Sequence, residues 1–270
     1  MTVEAWGMPV LLGVLGLVFG SFIATLAIRW PEGRAVSKGR SACDACGKAL
    51  RGHELVPVLS FVLQRGRCRA CGAAIRPSHL LVELIALLIG VTAALAASPV
   101  EAAAGAAFGW LLLALAALDL SAFWLPNVLT GALAVAGVAV GLAGIGVPLE
   151  ERLIGGAAGF GVLWLVSEAY LRLRGRRGLG GGDPKMFGAI GLWLGWRALP
   201  LVLLAACLIG LAVALALALW MRRGRPAATD RLPFGTMLAA AAFAVWMVSA
   251  MAALEPGPDF GQTVEIPAER

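Results

Sequence analysis

Gly180-Gly181-Gly182-Asp183-Pro184-Lys185 opens onto a hydrophobic run, Pro184–Leu199, and the topology of the chain turns on whether that short run crosses a bilayer. A membrane-spanning helix needs about 20 apolar residues. Seven other runs have the length or nearly so: Met8–Ile28, His79–Ala97, Ala102–Leu118, Val128–Val147, Leu153–Leu171, Leu201–Met221 and Phe234–Leu254. Charge decides the remaining one. The loop 29–76 holds ten Lys/Arg; Arg172, Arg174, Arg176 and Arg177 fall in 172–183, and Arg222, Arg223, Arg225 and Arg231 in 222–233. Those eighteen share one side only if Pro184–Leu199 crosses. The opposite loops carry just Arg152 and Arg197, with Arg270 at the far terminus. Positive loops stay cytoplasmic, so the pattern predicts about eight transmembrane helices, three basic loops inside and both termini outside. So short a span implies a locally thinned bilayer or a helix extended by its loop. Trp193 and Trp196 near its outer end suit an interfacial belt or ordinary packing.

Composition agrees with a membrane class. The chain is 60% hydrophobic and 14% charged, with a mean hydropathy of +0.87, whereas soluble domains are nearer half apolar and a quarter charged. The fold class expected is an all-α polytopic membrane protein. A net charge of +6 reads as loop charge; no base-reading motif accompanies it, which argues against nucleic acid as a partner. Met8–Ile28 is too long for a signal-peptide core and has no basic flank before it, so it is expected to be a retained first span. Gly131, Gly137, Gly141 and Gly144 in the fourth span, and Gly155, Gly156 and Gly159 in the fifth, would let helices approach closely in lipid. Residues 255–270 read as a disordered outer tail.

Two features carry chemistry. Cys43-Asp44-Ala45-Cys46-Gly47 and Cys68-Arg69-Ala70-Cys71-Gly72 are CxxC pairs 21 residues apart. Four thiolates at this spacing, each pair closed by a glycine, suit a tetrahedral structural zinc site. Disulfides disagree with a loop placed in the reducing cytosol, and iron is the other candidate for a sulfur tetrahedron. Cys207 lies mid-span and is expected to serve as a small buried hydrophobe, and His53 and His79 lack ligand-like spacing.

The second feature is a pair of aspartates. Glycines before Asp183 permit unusual backbone angles and close approach. Asp119 falls where the third span reaches the same face; Pro126 would stop a helix running from it, and Asn127 would cap the next. Two carboxylates at one depth, brought together by packing, share a proton and titrate as a unit. One can then deprotonate water while its partner donates to a scissile carbonyl. Lys185 would favour the charged form of Asp183, or else snorkel to headgroups. Glu168 is one turn from Arg172, an i,i+4 pair. Glu83, inside the second span, would line the site or pair with a loop arginine. Asp44 belongs to a cysteine knuckle.

These residues resemble the bacterial type IV prepilin peptidases, membrane aspartic peptidases of the GxGD kind. Gly180-x-Gly182-Asp183-x-Lys185 matches GxGDxK, and Asp119 with Leu125-Pro126-Asn127 matches the family's other aspartate element, 64 residues earlier. Gly20-Ser21-Phe22 with Arg29 and Pro31, Val56-Pro57-Val58-Leu59-Ser60-Phe61 between the CxxC pairs, and Leu232-Pro233-Phe234-Gly235 resemble further family motifs. Ile23-Ala24, Trp30, Glu54 and Pro184 depart from common family residues. The resemblance implies catalysis by Asp119 and Asp183 in a site shaped by Gly180, Gly182, Lys185, Pro126 and Asn127. The implied substrates are type IV prepilin or type II secretion pseudopilin precursors, cut after the Gly of a basic leader at the cytoplasmic face of the bacterial inner membrane. N-methylation of the new terminus with S-adenosylmethionine would follow, associated with the cysteine loop.

The expected organisation is a first helix (8–28), a cytoplasmic zinc-binding domain (29–78), a membrane peptidase domain (79–254) and the tail. Two rivals are a carboxylate-relay transporter and a zinc-stapled scaffold without activity. A relay would place carboxylates near the midplane on broken helices, not at span ends.

Overall fold

The computed structural model describes residues 6–36, 41–176, 178–220 and 232–254. Nine α-helices lie among them: α1 (Gly7–Arg29), α2 (Leu59–Leu63), α3 (Pro77–Ala96), α4 (Pro99–Ala122), α5 (Asn127–Leu142), α6 (Leu149–Arg174), α7 (Asp183–Leu194), α8 (Leu199–Trp220) and α9 (Phe234–Leu254). The described residues form no strand beyond two isolated bridges, Ala42 with Ala49 and Arg67 with Ala74. Each of the eight apolar runs is a helix. Six, α1, α3, α4, α6, α8 and α9, are long and apolar enough to cross a membrane, so this is a multi-pass membrane protein. The tail 255–270 and most of the basic loop 222–233 lie outside the described residues.

Helix α5 has 16 residues and α7 only 12. At 1.5 Å per residue α7 is about 18 Å long, well short of a hydrocarbon core of about 30 Å. The run Pro184–Leu199 is cut at Gly195, whose φ of 76° and ψ of 170° end the helix. The loop does not extend the helix, which begins at Asp183, one residue before the run. Helix α7 is buried in protein: Met186, Phe187, Ile190, Trp193 and Leu194 are all in the core, and α5, α6 and α9 pack around it. A helix shorter than the hydrocarbon core is tolerated at membrane depth where protein surrounds it.

Apolar burial does little to associate helices in lipid, so close backbone approach and interhelical hydrogen bonds matter more. Gly155 of α6 and Gly191 of α7 meet backbone to backbone; a Cβ on either would collide with the other's carbonyl oxygen. Gly137 and Gly141 likewise sit against neighbours, whereas Gly131 and Gly144 face open space. Trp193 packs rather than belts: it is stacked on Phe108 at 4.8 Å, and its indole donates to the Leu133 carbonyl at 2.7 Å. Trp196 is exposed, with the Arg197 guanidinium over its ring.

Arg152, expected in an outer loop, is buried in the first turn of α6. Its guanidinium donates to the carbonyls of Gly137, Ile145, Val147 and Leu192. Of these, Leu192 is in the last turn of α7 and Ile145 and Val147 follow the end of α5, where orphan carbonyls and the helix dipole favour a cation. That end of the bundle is opposite Asp119 and Asp183.

Candidate active site and metal centre

Helix α4 ends at Ala122, and Phe123 adopts the left-handed conformation that turns the chain away. The turn leaves Asp119 in the last full turn of α4, only 5% exposed. Its Oδ2 accepts the Thr236 amide at 2.8 Å and stands 3.2 Å from the Thr236 hydroxyl. That hydroxyl also reaches the Ala116 carbonyl at 3.1 Å, so it locks α9 onto α4. Thr236 is in the first turn of α9, where backbone N–H groups have no intrahelical acceptor and attract a carboxylate. Asp183, 6% exposed, opens α7 in the same way. Its Oδ2 accepts the Gly180 amide at 2.9 Å and folds the glycine turn over the helix end. Pro184 in that first turn needs no amide partner. Each aspartate is thus held at a helix N-terminus, and the carboxyl groups lie within electrostatic reach of each other. No Lys or Arg among the described residues pairs with either.

Leu125 fills the gap beside them. A Cβ on Gly182 would lie 2.7 Å from Leu125 Cβ, and one on Gly235 would lie 3.0 Å from both Leu125 Cδ1 and Asp119 Oδ2. One on Gly180 would lie 2.9 Å from Asp183 Oδ2, while one on Gly181 would meet nothing. The pattern Gly-x-Gly therefore has a steric cause: the outer glycines are approached closely and the middle one is open. Unusual backbone angles, the other expected use, are not involved, since none of the three has positive φ.

Several expectations need correction. Asn127 does not cap α5; Pro126 occupies that position without a side-chain hydrogen bond. The Asn127 side-chain oxygen Oδ1 instead accepts from Lys185 Nζ at 2.8 Å, tying α5 to α7. Lys185 is therefore engaged with Asn127 rather than with Asp183. Glu83 joins neither the aspartates nor an arginine among the described residues: it is buried in α3 and accepts the Val58 amide at 2.8 Å. Glu168 pairs with Arg172 at 2.9 Å as expected. Thr236 was not singled out by sequence reading, although the preceding Pro233-Phe234-Gly235 marked the place.

The four cysteines form a second centre. Their sulfurs all lie within 4.8 Å of one another, and Cys43 Sγ is 3.9 Å from Cys71 Sγ. Zinc–sulfur bonds of about 2.3 Å in a tetrahedron demand sulfurs about 3.8 Å apart, so the set fits a metal ion. The two knuckles are built alike. Gly47 and Gly72, at φ of 70° and 71°, donate to the Cys43 and Cys68 carbonyls, and the Cys43 and Cys68 amides donate to the Lys48 and Ala73 carbonyls. Backbone N–H groups of Cys71 and Ala70 aimed at the Cys68 sulfur lower its thiol to about 7, toward the ligating thiolate. Asp44 serves the fold: it is held by Arg34 at 2.8 Å and Arg29 at 3.6 Å, which brace the loop against the end of α1.

Beside this centre, between α1, the cysteine loop and α3, lies a cavity of about 600 Å³. Phe22, Thr25, Arg29, Ser60, His79 and Glu83 are among its lining residues.

A family model described as the type IV leader peptidase family matches residues 106–215, and one for the bacterial peptidase A24 N-terminal domain matches 14–97. The chain belongs to the type IV leader peptidase family. It is 41% identical over 254 residues to a "Prepilin leader peptidase/N-methyltransferase" of Burkholderia pseudomallei, covering 84% of this chain and 81% of that one. Proteins of the same description from Dickeya chrysanthemi (38% identical, 83% and 76% covered) and Pectobacterium carotovorum (34%, 84% and 88%) are also similar. No solved structure matches the chain significantly.

Proposed function

We propose that this protein is a prepilin peptidase of the bacterial inner membrane and that it also N-methylates its product. Its clients are type IV prepilins or type II secretion pseudopilins, cut after the Gly of a basic leader. Asp119 and Asp183 share one proton. The ionised carboxylate draws a proton from water as that water attacks the scissile carbonyl, and the protonated partner donates to the carbonyl oxygen. The proton then passes to the leaving amine. Gly180 and Gly182 shape the turn that presents Asp183, Leu125-Pro126-Asn127 wedges between the aspartates' helices, and Lys185 ties that wedge to α7. The site faces the cytoplasm and both termini lie outside.

The observation that carries this reading is two buried carboxylates, one at the start of α7 and one against the start of α9, with no Lys or Arg among the described residues paired to either. A relay would carry acidic groups through the membrane's depth, and Asp119 and Asp183 are both at helix ends. Cys43, Cys46, Cys68 and Cys71 hold zinc, which folds the loop and takes no part in peptide cleavage. The test is incubation of detergent-solubilised protein with a prepilin bearing a Gly-Phe junction. Cleavage is expected from wild type and should fall by about 100- to 10,000-fold in Asp119→Asn and Asp183→Asn. An intact substrate with wild type would overturn the reading.

A further inference from the structure

Between the two cysteine pairs the chain runs Leu55-Val56-Pro57-Val58-Leu59-Ser60-Phe61-Val62-Leu63, a stretch without a charge. Its last five residues form α2. The two sides of that short helix differ. Ser60 and Phe61 line the cavity described above. Leu59, Val62 and Leu63, at i, i+3 and i+4, fall on the other side and are 54%, 60% and 64% exposed. Val56, just before the helix, is exposed as well. A contiguous apolar patch of this kind marks a surface that meets a partner.

Depth says which partner. Val58, the residue before α2, donates its amide to Glu83 Oε2 at 2.8 Å. Glu83 lies six residues into α3, about 9 Å from the first residue of that helix. Gly20 of α1 packs on the Glu83 Cα, and Gly20 lies nine residues before Arg29, about 14 Å from the end of α1. Both helices are long and apolar enough to span a membrane. With 20 residues, α3 has no length to spare against a hydrocarbon core of about 30 Å. Glu83 is therefore inside the bilayer, and it holds Val58 near the depth of about 5–10 Å at which interfacial helices lie. Lipid offers backbone amides no partner, so those that enter it need one from the protein. Pro57 has no amide, Glu83 takes that of Val58, and those of Leu59, Ser60 and Val62 donate to the Pro57, Val56 and Val58 carbonyls. This gives the buried Glu83 carboxylate a structural task.

Charge points the same way. Arg65, Arg67 and Arg69 follow α2, all three are exposed, and none is in an ion pair among the described residues. The loop 29–76 as a whole carries ten Lys/Arg against Glu32, Asp44 and Glu54. Such a surface attracts anionic headgroups. It repels a second copy of itself, and also a client whose leader is basic. We propose that α2 is an interfacial anchor, with Leu59, Val62 and Leu63 sunk in the lipid of the leaflet on the cysteine-loop side and Arg65, Arg67 and Arg69 at the level of its headgroups. The cysteine loop is thus tied down by lipid as well as by Arg29, which donates to the Ala42 carbonyl, and by Glu83.

Photocrosslinking tests the anchor on full-length, zinc-loaded protein in vesicles of phosphatidylethanolamine and phosphatidylglycerol, with a prepilin present. The photoreactive residue benzoylphenylalanine is introduced in place of Leu59, of Leu63 or, as a reference, of Leu88, which is exposed along α3. After illumination, mass spectrometry should find lipid on positions 59 and 63 at yields within about tenfold of that on position 88. Val62→Asp puts a charge on the inserted side and should cut the yield at position 63 by about tenfold. Bound zinc, read on each protein, shows that the loop is intact, and the yields without Val62→Asp decide the matter even if that variant loses its metal. Yields at both positions more than about tenfold below the reference, or adducts there with prepilin or a second copy in place of lipid, would overturn the anchor. The readout needs neither cleavage nor methyl transfer, so its failure leaves the function proposed above untouched.

Discussion

Gly182 and Gly181 differ by one position and by everything that surrounds them. Alanine at 182 would press its methyl against Leu125 Cβ, close to the backbone and unable to swing aside. The turn carrying Asp183 must then shift, and misplacing a reacting group by about 1 Å can cost about 100-fold in rate. Gly182→Ala should therefore lose about that much prepilin cleavage, while Gly181→Ala, whose methyl meets open space, should cleave as wild type does. Equal losses in the two would remove the steric explanation. Thr236→Val keeps the amide bond to Asp119 and deletes the hydroxyl's. A hydrogen bond to a charged group is worth about 1.5–3 kcal/mol, so cleavage should drop by about tenfold or more and the melting temperature should fall with it, because the same hydroxyl locks α9 onto α4. Both carboxylates were legible in the sequence because each sits in a motif. Thr236 and the Lys185–Asn127 bond were not, since residues 117 and 58 apart in the chain are joined only by packing.

The cysteine loop was readable almost whole from its spacing. Two CxxC-Gly knuckles specify their own turns, and the sulfurs converge as the chemistry of a tetrahedral cation requires. What spacing could not reveal is how the loop is anchored: Arg29 donates to the Ala42 carbonyl at 3.0 Å and Glu83 reaches across to Val58. A loop with so little apolar core depends on its metal to stay folded. Cys43→Ser should release zinc, seen with a metallochromic dye after denaturation, and should expose the loop to limited proteolysis. Cleavage should persist, because Asp119, Asp183 and Thr236 are held by α4, α7 and α9. If peptide cleavage vanished in proportion to zinc, the metal would belong to that chemistry after all.

Across the whole molecule, hydropathy finds every apolar helix but cannot tell which of them faces lipid. Pro184–Leu199 looked like a strained span; it is a helix of 12 residues enclosed by its neighbours. That enclosure depends on the Gly155–Gly191 contact, where neither residue has room for a side chain. Gly191→Leu should lower the melting temperature in detergent markedly and take the peptidase activity with it, whereas Gly131→Leu, in open space, should do neither. Arg152 misled the charge reading in a smaller way. It counted as a loop charge, yet it is consumed by four carbonyls that no local pattern announces. Helix α7 thus stands pinned at one end by that guanidinium and presents Asp183 at the other, the end where α4 and α9 hold Asp119. The central claim is that these two acids work as one device. Cleavage rates of Asp119→Asn, Asp183→Asn and the double variant test it most directly. A shared device predicts that the double variant is no slower than the slower single one. Losses that multiply, or either single variant cleaving near the wild-type rate, would contradict it.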